Sequence, residues 1–426
     1  MNRNSVVAKS RLRNIIYSLT KLIIILALSS YMLFTYSRLG LFLWEIAPLI
    51  AIILLIPLAI FTILHIKALK VREKKRSILS ILLIMCIIVF QVWAVIPAIL
   101  APHYANNFDQ IFINTFGENY EKVIPDSILQ KLSQKPFSWK KLLLRSVPNE
   151  YTVIKKIYYG NHTRQFFDIY YPLNVSGLKP AIIVIHGGAT IENSSNDGIA
   201  EIMTARYFTA QGIIVISLEY RIPPEAHFVE MVSDVRTAIK WIRDHSEEYH
   251  INKNQIFVMG RSRGGHLATT AVYSGMNNNS WYMENAGNYT SNDLKVLGVI
   301  SLYGAVNPYM AGVWGNDFID KRNKIVFGVG RDEAPDLYRN GSAAYLVGNN
   351  TPPTFIMHGS LDRMVIPKES RHLAQVLTEN GILNVYLELP TGQHGFDALA
   401  WSPGGQIMYY YLERFIWFLI YNNTIT

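Results

Sequence analysis

From Tyr151 onward the chain alternates short, continuous apolar runs with longer amphipathic segments, and few architectures accept that pattern. Ala181–Ile185, Ile213–Leu218, Ile256–Met259, Val296–Leu302, Thr354–Met357 and Val385–Leu389 read as strands buried on both faces, being short and apolar without polar alternation. Ala200–Ala210, Val232–Tyr249, Gly264–Tyr273 and Lys368–Glu379 read as helices between them. Strand–helix alternation of this kind predicts an α/β fold, a mostly parallel sheet with helices on both faces. In such sheets the reacting groups gather beyond the carboxyl ends of the strands. The loops after these runs are therefore the places to look for chemistry.

One of those loops is Gly260-Arg261-Ser262-Arg263-Gly264, directly after the strand Ile256–Met259 and before a helical run. A serine in a Gly-x-Ser-x-Gly turn between strand and helix sits on a tight bend, and small flanking residues let its hydroxyl project. A hydroxyl is a weak nucleophile unless a base stands beside it and an acid orients the base. Asp362 falls in the loop after Thr354–Met357, and His394 in the loop after Val385–Leu389. That is the order Ser, Asp, His, with each residue past a strand end. The strand Ala181–Ile185 runs into His186-Gly187-Gly188-Ala189. Small residues there can turn N–H groups toward a tetrahedral oxyanion, so Gly187, Gly188 and Ala189, with the N–H of Arg263, form a candidate oxyanion hole. Two readings stand for the Arg261 and Arg263 side chains: contact with an anionic substrate, or surface pairing with acidic neighbours.

Taken together, His186-Gly-Gly, Glu219-Tyr220-Arg221-Ile-Pro-Pro-Glu225, Asp234 with Ala238 and Trp241, the Gly260–Gly264 turn, His358-Gly-Ser-Leu-Asp362 and His394-Gly-Phe resemble the esterase branch of the α/β hydrolases. The likeness is nearest to hormone-sensitive-lipase-like carboxylesterases and the bacterial feruloyl-esterase-like group, and spans about residues 151–421. It implies an eight-stranded sheet, a Ser262/Asp362/His394 triad acting on a small-molecule or lipid ester, and no metal or organic cofactor. Ala189 departs from the third glycine usual in the His-Gly-Gly-Gly motif; alanine keeps its N–H while narrowing the approach of bulky acyl groups. Asp234 reads as structural, tying the Tyr220-Arg221 loop in place. Residues 276–294 and 307–345 read as a cap over the pocket. The His358–Asp362 segment also resembles that of prolyl-oligopeptidase-like enzymes. A peptidase or amidase therefore stands as an alternative, and a non-catalytic surface-binding protein on the same scaffold as a second.

The first quarter of the chain is of another kind. Apolar stretches at 15–36, 41–66 and 78–101 are long enough to be candidate membrane helices, a span needing roughly 20 residues. Lys21 interrupts the first and can snorkel to the interface. Residues 1–101 hold 12 Lys and Arg against 2 Asp and Glu, which leaves 28 against 29 in the remainder. The net charge of +9 thus belongs to the N-terminal region, and a basic nucleic-acid-binding face on the rest is disfavoured. Cations cluster before the first stretch and at Lys67, Lys70, Arg72, Lys74, Lys75 and Arg76, between the second and third. The positive-inside rule then puts the N-terminus and the 67–76 loop in the cytoplasm, and three crossings leave the catalytic region on the extracytoplasmic side. A cleaved signal peptide in place of the first span would leave the basic loop outside, against that rule.

Asn161, Asn174, Asn193, Asn278, Asn288, Asn340, Asn349 and Asn422 each open an Asn-x-Ser/Thr triplet, and none begins within 1–101, in keeping with that orientation. Residues 102–150 read as a helical linker, whose piece Phe137–Arg145 either lies on a membrane surface or packs on the following domain. The single cysteine, Cys86, excludes an internal disulfide.

Overall fold

The computed structural model describes residues 43, 45–53, 74–188, 195–315 and 317–422. Two compact units divide the chain, Met1–Ile99 and Leu100–Thr426. In the first, the described residues are helical, and Ala47, Ala51 and Ala94 share a small apolar cluster. Candidate span 15–36 lies outside the described residues, and 41–66 is described only at 43 and 45–53. Span 78–101 falls within the helix Lys74–Phe116, where many of its residues are described by backbone alone. Among the described residues no helix is long and apolar enough to cross a membrane.

The second unit is built on eight strands: β1 Thr152–Tyr158, β2 Phe166–Tyr171, β3 Lys179–Ile185, β4 Ile214–Leu218, β5 Ile251–Arg261, β6 Gly298–Leu302, β7 Thr354–Gly359 and β8 Asn384–Leu389. They lie in the order β1-β2-β4-β3-β5-β6-β7-β8. From β4 to β8 every pairing is parallel, while β2 runs antiparallel to both β1 and β4. Ile183, Ile185, Ile214 and Ile216 face a core with Val232, Val235, Leu267 and Ala271. The alternate residues Ile182, Val184 and Val215 are equally inaccessible, which is why these strands read as unbroken apolar runs. The helix Pro403–Tyr421 covers the other face, with Phe415 against Phe355 at 5.5 Å.

β1 escapes the search for apolar runs for a physical reason. β1 is an exposed edge strand carrying Lys155 and Lys156, held by its ladder and not by burial. Its register slips between Ile154 and Ile157, Lys156 adopts φ 56°, and Asp168 of β2 accepts the Lys156 N–H at 2.8 Å, the arrangement of a bulge. The helix Pro403–Tyr421 is buried almost all round and so lacks the amphipathic period that marks a surface helix.

Residues 102–150 pack into the second unit. Phe108 and Phe112 meet Tyr411 edge-on or tilted, Glu121 pairs with Arg414 at 2.6 Å, and Leu142 is buried. Phe137–Arg145 contains a short helix, Trp139–Leu144, N-capped by Ser138.

Candidate active site

Ser262 stands between β5 and the helix Arg263–Met276, at φ 52° and ψ −118°, a conformation a non-glycine residue adopts only under strain. Two contacts make the bend tight enough. A Cβ on Gly260 would come 2.0 Å from the Gly264 carbonyl oxygen, and one on Gly264 would come 2.0 Å from that of Ile185. Alanine fits at neither place. The strain is held by the ladder to β6, since the Ser262 N–H donates to Leu302 O at 2.9 Å.

The three residues singled out from the sequence come together. His394 Nε2 lies 2.9 Å from Ser262 Oγ, and His394 Nδ1 lies 2.6 Å from Asp362 Oδ2. With Nδ1–H donating to the carboxylate, Nε2 is left to accept the serine proton. Asp362 is buried, and its other oxygen accepts the N–H groups of Met364 at 2.8 Å and Val365 at 3.0 Å. Burial opposes its charge, but the His394 and His358 imidazoles outweigh that and hold the carboxyl well below the usual range. A second histidine thus shares Asp362. His358 Nε2 is 3.2 Å from Oδ2 and 2.9 Å from Val365 O, and its Nδ1 is 2.7 Å from Ser370 Oγ.

The loop after β3 is drawn close to the serine. A Cβ on Gly187 would stand 2.9 Å from Arg261 O and 3.1 Å from Ser262 Cβ, and Gly188 takes φ 95°. Ala189 lies outside the described residues. The Arg263 N–H belongs to the first turn of its helix, where no intrahelical carbonyl is available to it. Behind the loop, Tyr220 OH donates to His186 O at 2.8 Å and stacks on the His186 ring at 4.5 Å. Glu219 pairs with Arg164 and accepts the Asn196 N–H at 3.0 Å. Asp234 binds the Arg221 N–H at 3.0 Å and its guanidinium at 2.6 Å, so the Glu219–Arg221 segment is a brace for the site.

The arginine side chains beside the serine differ from both readings of the sequence: each is buried, at 3% and 5% exposure, and turned inward. Arg261 Nε pairs with Asp397 at 2.6 Å, and Asp397 also accepts Tyr303 OH at 2.6 Å. The Tyr303 ring lies 4.7 Å from that of His394, edge to face, so this trio backs the histidine. Arg263 reaches His266 Nδ1 at 2.7 Å and Asn323 Oδ1 at 2.6 Å. Asn323 lies on the helix Asp317–Phe327, which places part of the expected cap against the start of the serine's helix. Asp397, Tyr303 and Asn323 carry no signal of their own in the sequence; only the proximity of Asp397 to His394 in the chain hints at a role. Among the described residues no cluster of His, Cys, Asp and Glu could hold a metal ion.

The family described as BD-FAE matches residues 167–377, a stretch that includes Ser262 and Asp362. The chain is 28% identical over 259 residues to esterase LipC of Mycobacterium tuberculosis, covering 59% of this chain and 62% of that protein. It is 26% identical over 260 residues to the isoprenylcysteine alpha-carbonyl methylesterase ICME of Arabidopsis thaliana, covering 59% and 58%. The chain therefore spans less than two thirds of the length of these curated relatives. Among solved structures, a truncated carbohydrate esterase from gut microbiota matches with TM-score 0.52 and 24% identity, over 63% of this chain and all of that one. Esterase B from Lactobacillus rhamnosis matches with TM-score 0.54 and 18% identity, over 68% and 94%. The fold is that of the α/β hydrolases, and the proteins it resembles in sequence are enzymes of ester hydrolysis.

Proposed function

We propose that the chain is a membrane-anchored serine hydrolase that cleaves carboxylic esters through Ser262, His394 and Asp362. The observation that carries this reading is the unbroken hydrogen-bond line from Ser262 Oγ through His394 to Asp362. Ser262 attacks the ester carbonyl as His394 Nε2 takes its proton, and Asp362 steadies the imidazolium that forms. The oxyanion is received by N–H groups of the Gly187–Ala189 loop and of Arg263, one such donor supplying about 3 kcal/mol. His394 returns the proton to the departing alcohol. Water, activated by the same imidazole, then frees the acyl group and restores the serine.

The relatives' printed names span a carbohydrate esterase and an isoprenylcysteine methylesterase. What these share is attack on an ester carbonyl, so the ester bond and not the alcohol is the common element. Anchoring through 15–36, 41–66 and 78–101, with the N-terminus cytoplasmic and the catalytic unit extracytoplasmic, is supported by the placement of the cations.

Labelling of the purified protein by a fluorophosphonate tests the chemistry. Ser262→Ala abolishes labelling and lowers turnover of p-nitrophenyl esters by about 10⁶, as for a triad acting as a unit. Labelling that persists in the variant overturns the reading. Protease treatment of intact cells tests the orientation: cleavage beyond residue 101 is expected, and protection of that region refutes it.

A further inference from the structure

Away from the serine, the segment between the long helix and β1 encloses a cavity of about 220 Å³. One wall is this segment, with Lys131, Ser133, Lys141 and Ser146; the other holds Tyr207 and Gln406. Among the described residues, two lysines line the cavity and no carboxylate does.

Lys141 is not a loose surface cation. Its Nζ donates to Ser133 Oγ at 2.8 Å, Ser133 Oγ lies 2.7 Å from Tyr207 OH, and Tyr207 OH donates to Glu413 Oε2 at 2.8 Å. The hydroxyl protons thus point along one line toward a buried carboxylate. Glu413 is already occupied: Oε2 also accepts Gln211 Nε2 at 2.7 Å, while Oε1 accepts the Ser133 N–H at 2.7 Å and Arg414 Nη1 at 3.2 Å. Burial disfavours the Lys141 charge and Glu413 offsets part of that cost, but the Glu413 carboxylate also answers Arg414 and does not itself line the cavity. An ammonium has three donors, and Ser133 uses one of those of Lys141.

We propose that this cavity binds a phosphate-type oxyanion, either free phosphate or the phosphodiester of an anionic lipid headgroup. Two lysines, with the Ser146 hydroxyl beside them, suit a compact, highly charged oxyanion, which the lysines meet as point charges. The volume is below the roughly 300–1,000 Å³ of pockets for drug-sized ligands, so a headgroup fits and a whole lipid does not. On the short helix that carries Lys141, Trp139, Leu143 and Leu144 are 42%, 47% and 66% exposed, an apolar flank on which acyl chains can lie.

The full-length protein in neutral detergent is unfolded thermally in sodium phosphate and in sodium chloride at matched ionic strength. Phosphate raises the midpoint above chloride, and Lys141→Gln and Lys131→Ala each weaken the apparent phosphate affinity roughly tenfold. Equal midpoints in the two salts overturn the proposal, as does a phosphate response unchanged in Lys131→Ala. Lys131 stands at the exposed rim, so its variant decides the matter even if Lys141→Gln does not fold. In bilayer discs of phosphatidylcholine the response persists. Loss of the response on adding phosphatidylglycerol identifies a lipid headgroup as the occupant, and its retention identifies free phosphate. The readout is binding, so it is independent of labelling at Ser262.

Discussion

Arg261 and Arg263 are the same residue, two positions apart, on either side of one serine, and both are buried. Their surroundings answer the cost of burial in opposite ways. For Arg261, burial lowers the pKa but Asp397, with Glu201 further off, more than reverses it, and the guanidinium is held above its ordinary range. For Arg263, burial lowers the pKa and, among the described residues, no carboxylate touches it; Glu369 acts only from a distance, and the value falls to about 10. Its close partners are an imidazole and an amide. One side of the serine thus stores a charge pair behind the histidine, and the other ties down a cap helix with hydrogen bonds from a cation to neutral partners. The motif spacing is blind to this difference because it depends on what distant chain segments bring to each side.

Breaking the charge pair has the largest expected effect on stability. Arg261→Met leaves Asp397 buried with Tyr303 as its remaining side-chain partner, a loss of about 3–5 kcal/mol in denaturant unfolding. Replacing both partners, Arg261→Met with Asp397→Leu, recovers most of that loss. A double variant as unstable as the single would erase the distinction between the two arginines.

The next effect has the opposite sign. Glu369 is buried, with Oε2 accepting the Asn307 N–H at 2.9 Å, and burial pushes its pKa from 4.5 up to about 7. The folded protein then binds a proton that the unfolded chain has released, so stability is fully present below pH 4.5 and declines as pH rises through 7. Glu369→Gln removes that decline, stabilising the protein at pH 8 by up to about 3 kcal/mol and by little at pH 4.5. Parallel pH profiles for the two proteins would deny Glu369 this role.

The smallest change is expected at Arg263. Arg263→Met forfeits two hydrogen bonds but also ends the burial of a cation without a carboxylate in contact, for a net cost of about 1–2 kcal/mol. A cost matching that of Arg261→Met would show that Glu369 serves it as fully as Asp397 serves Arg261.

The parallel part of the sheet was legible because strands buried on both faces must be continuously apolar, and helices between them must be amphipathic. The edge strand β1 was not, as an exposed ladder places little demand on side chains. The sites of Ser262, Asp362 and His394 could be read since each falls after a strand, and parallel strands deliver their carboxyl ends to one edge. His358 was visible only as part of a motif; that it shares Asp362 with His394 follows from the loop carrying the carboxylate back toward the end of β7.

The sequence by itself determined the parallel strands with the helices between them, the candidate reacting groups and the division into a basic apolar region and a nearly neutral remainder. These are local or periodic properties, written into neighbouring residues. Tertiary structure alone decided the pairings of Arg261 and Glu413. Arg261 meets a residue 136 positions away, and Glu413 joins the helix near the C-terminus to a segment 280 positions before it. An electrostatic partner acts over a few ångströms whatever its distance along the chain, so no spacing rule can anticipate it.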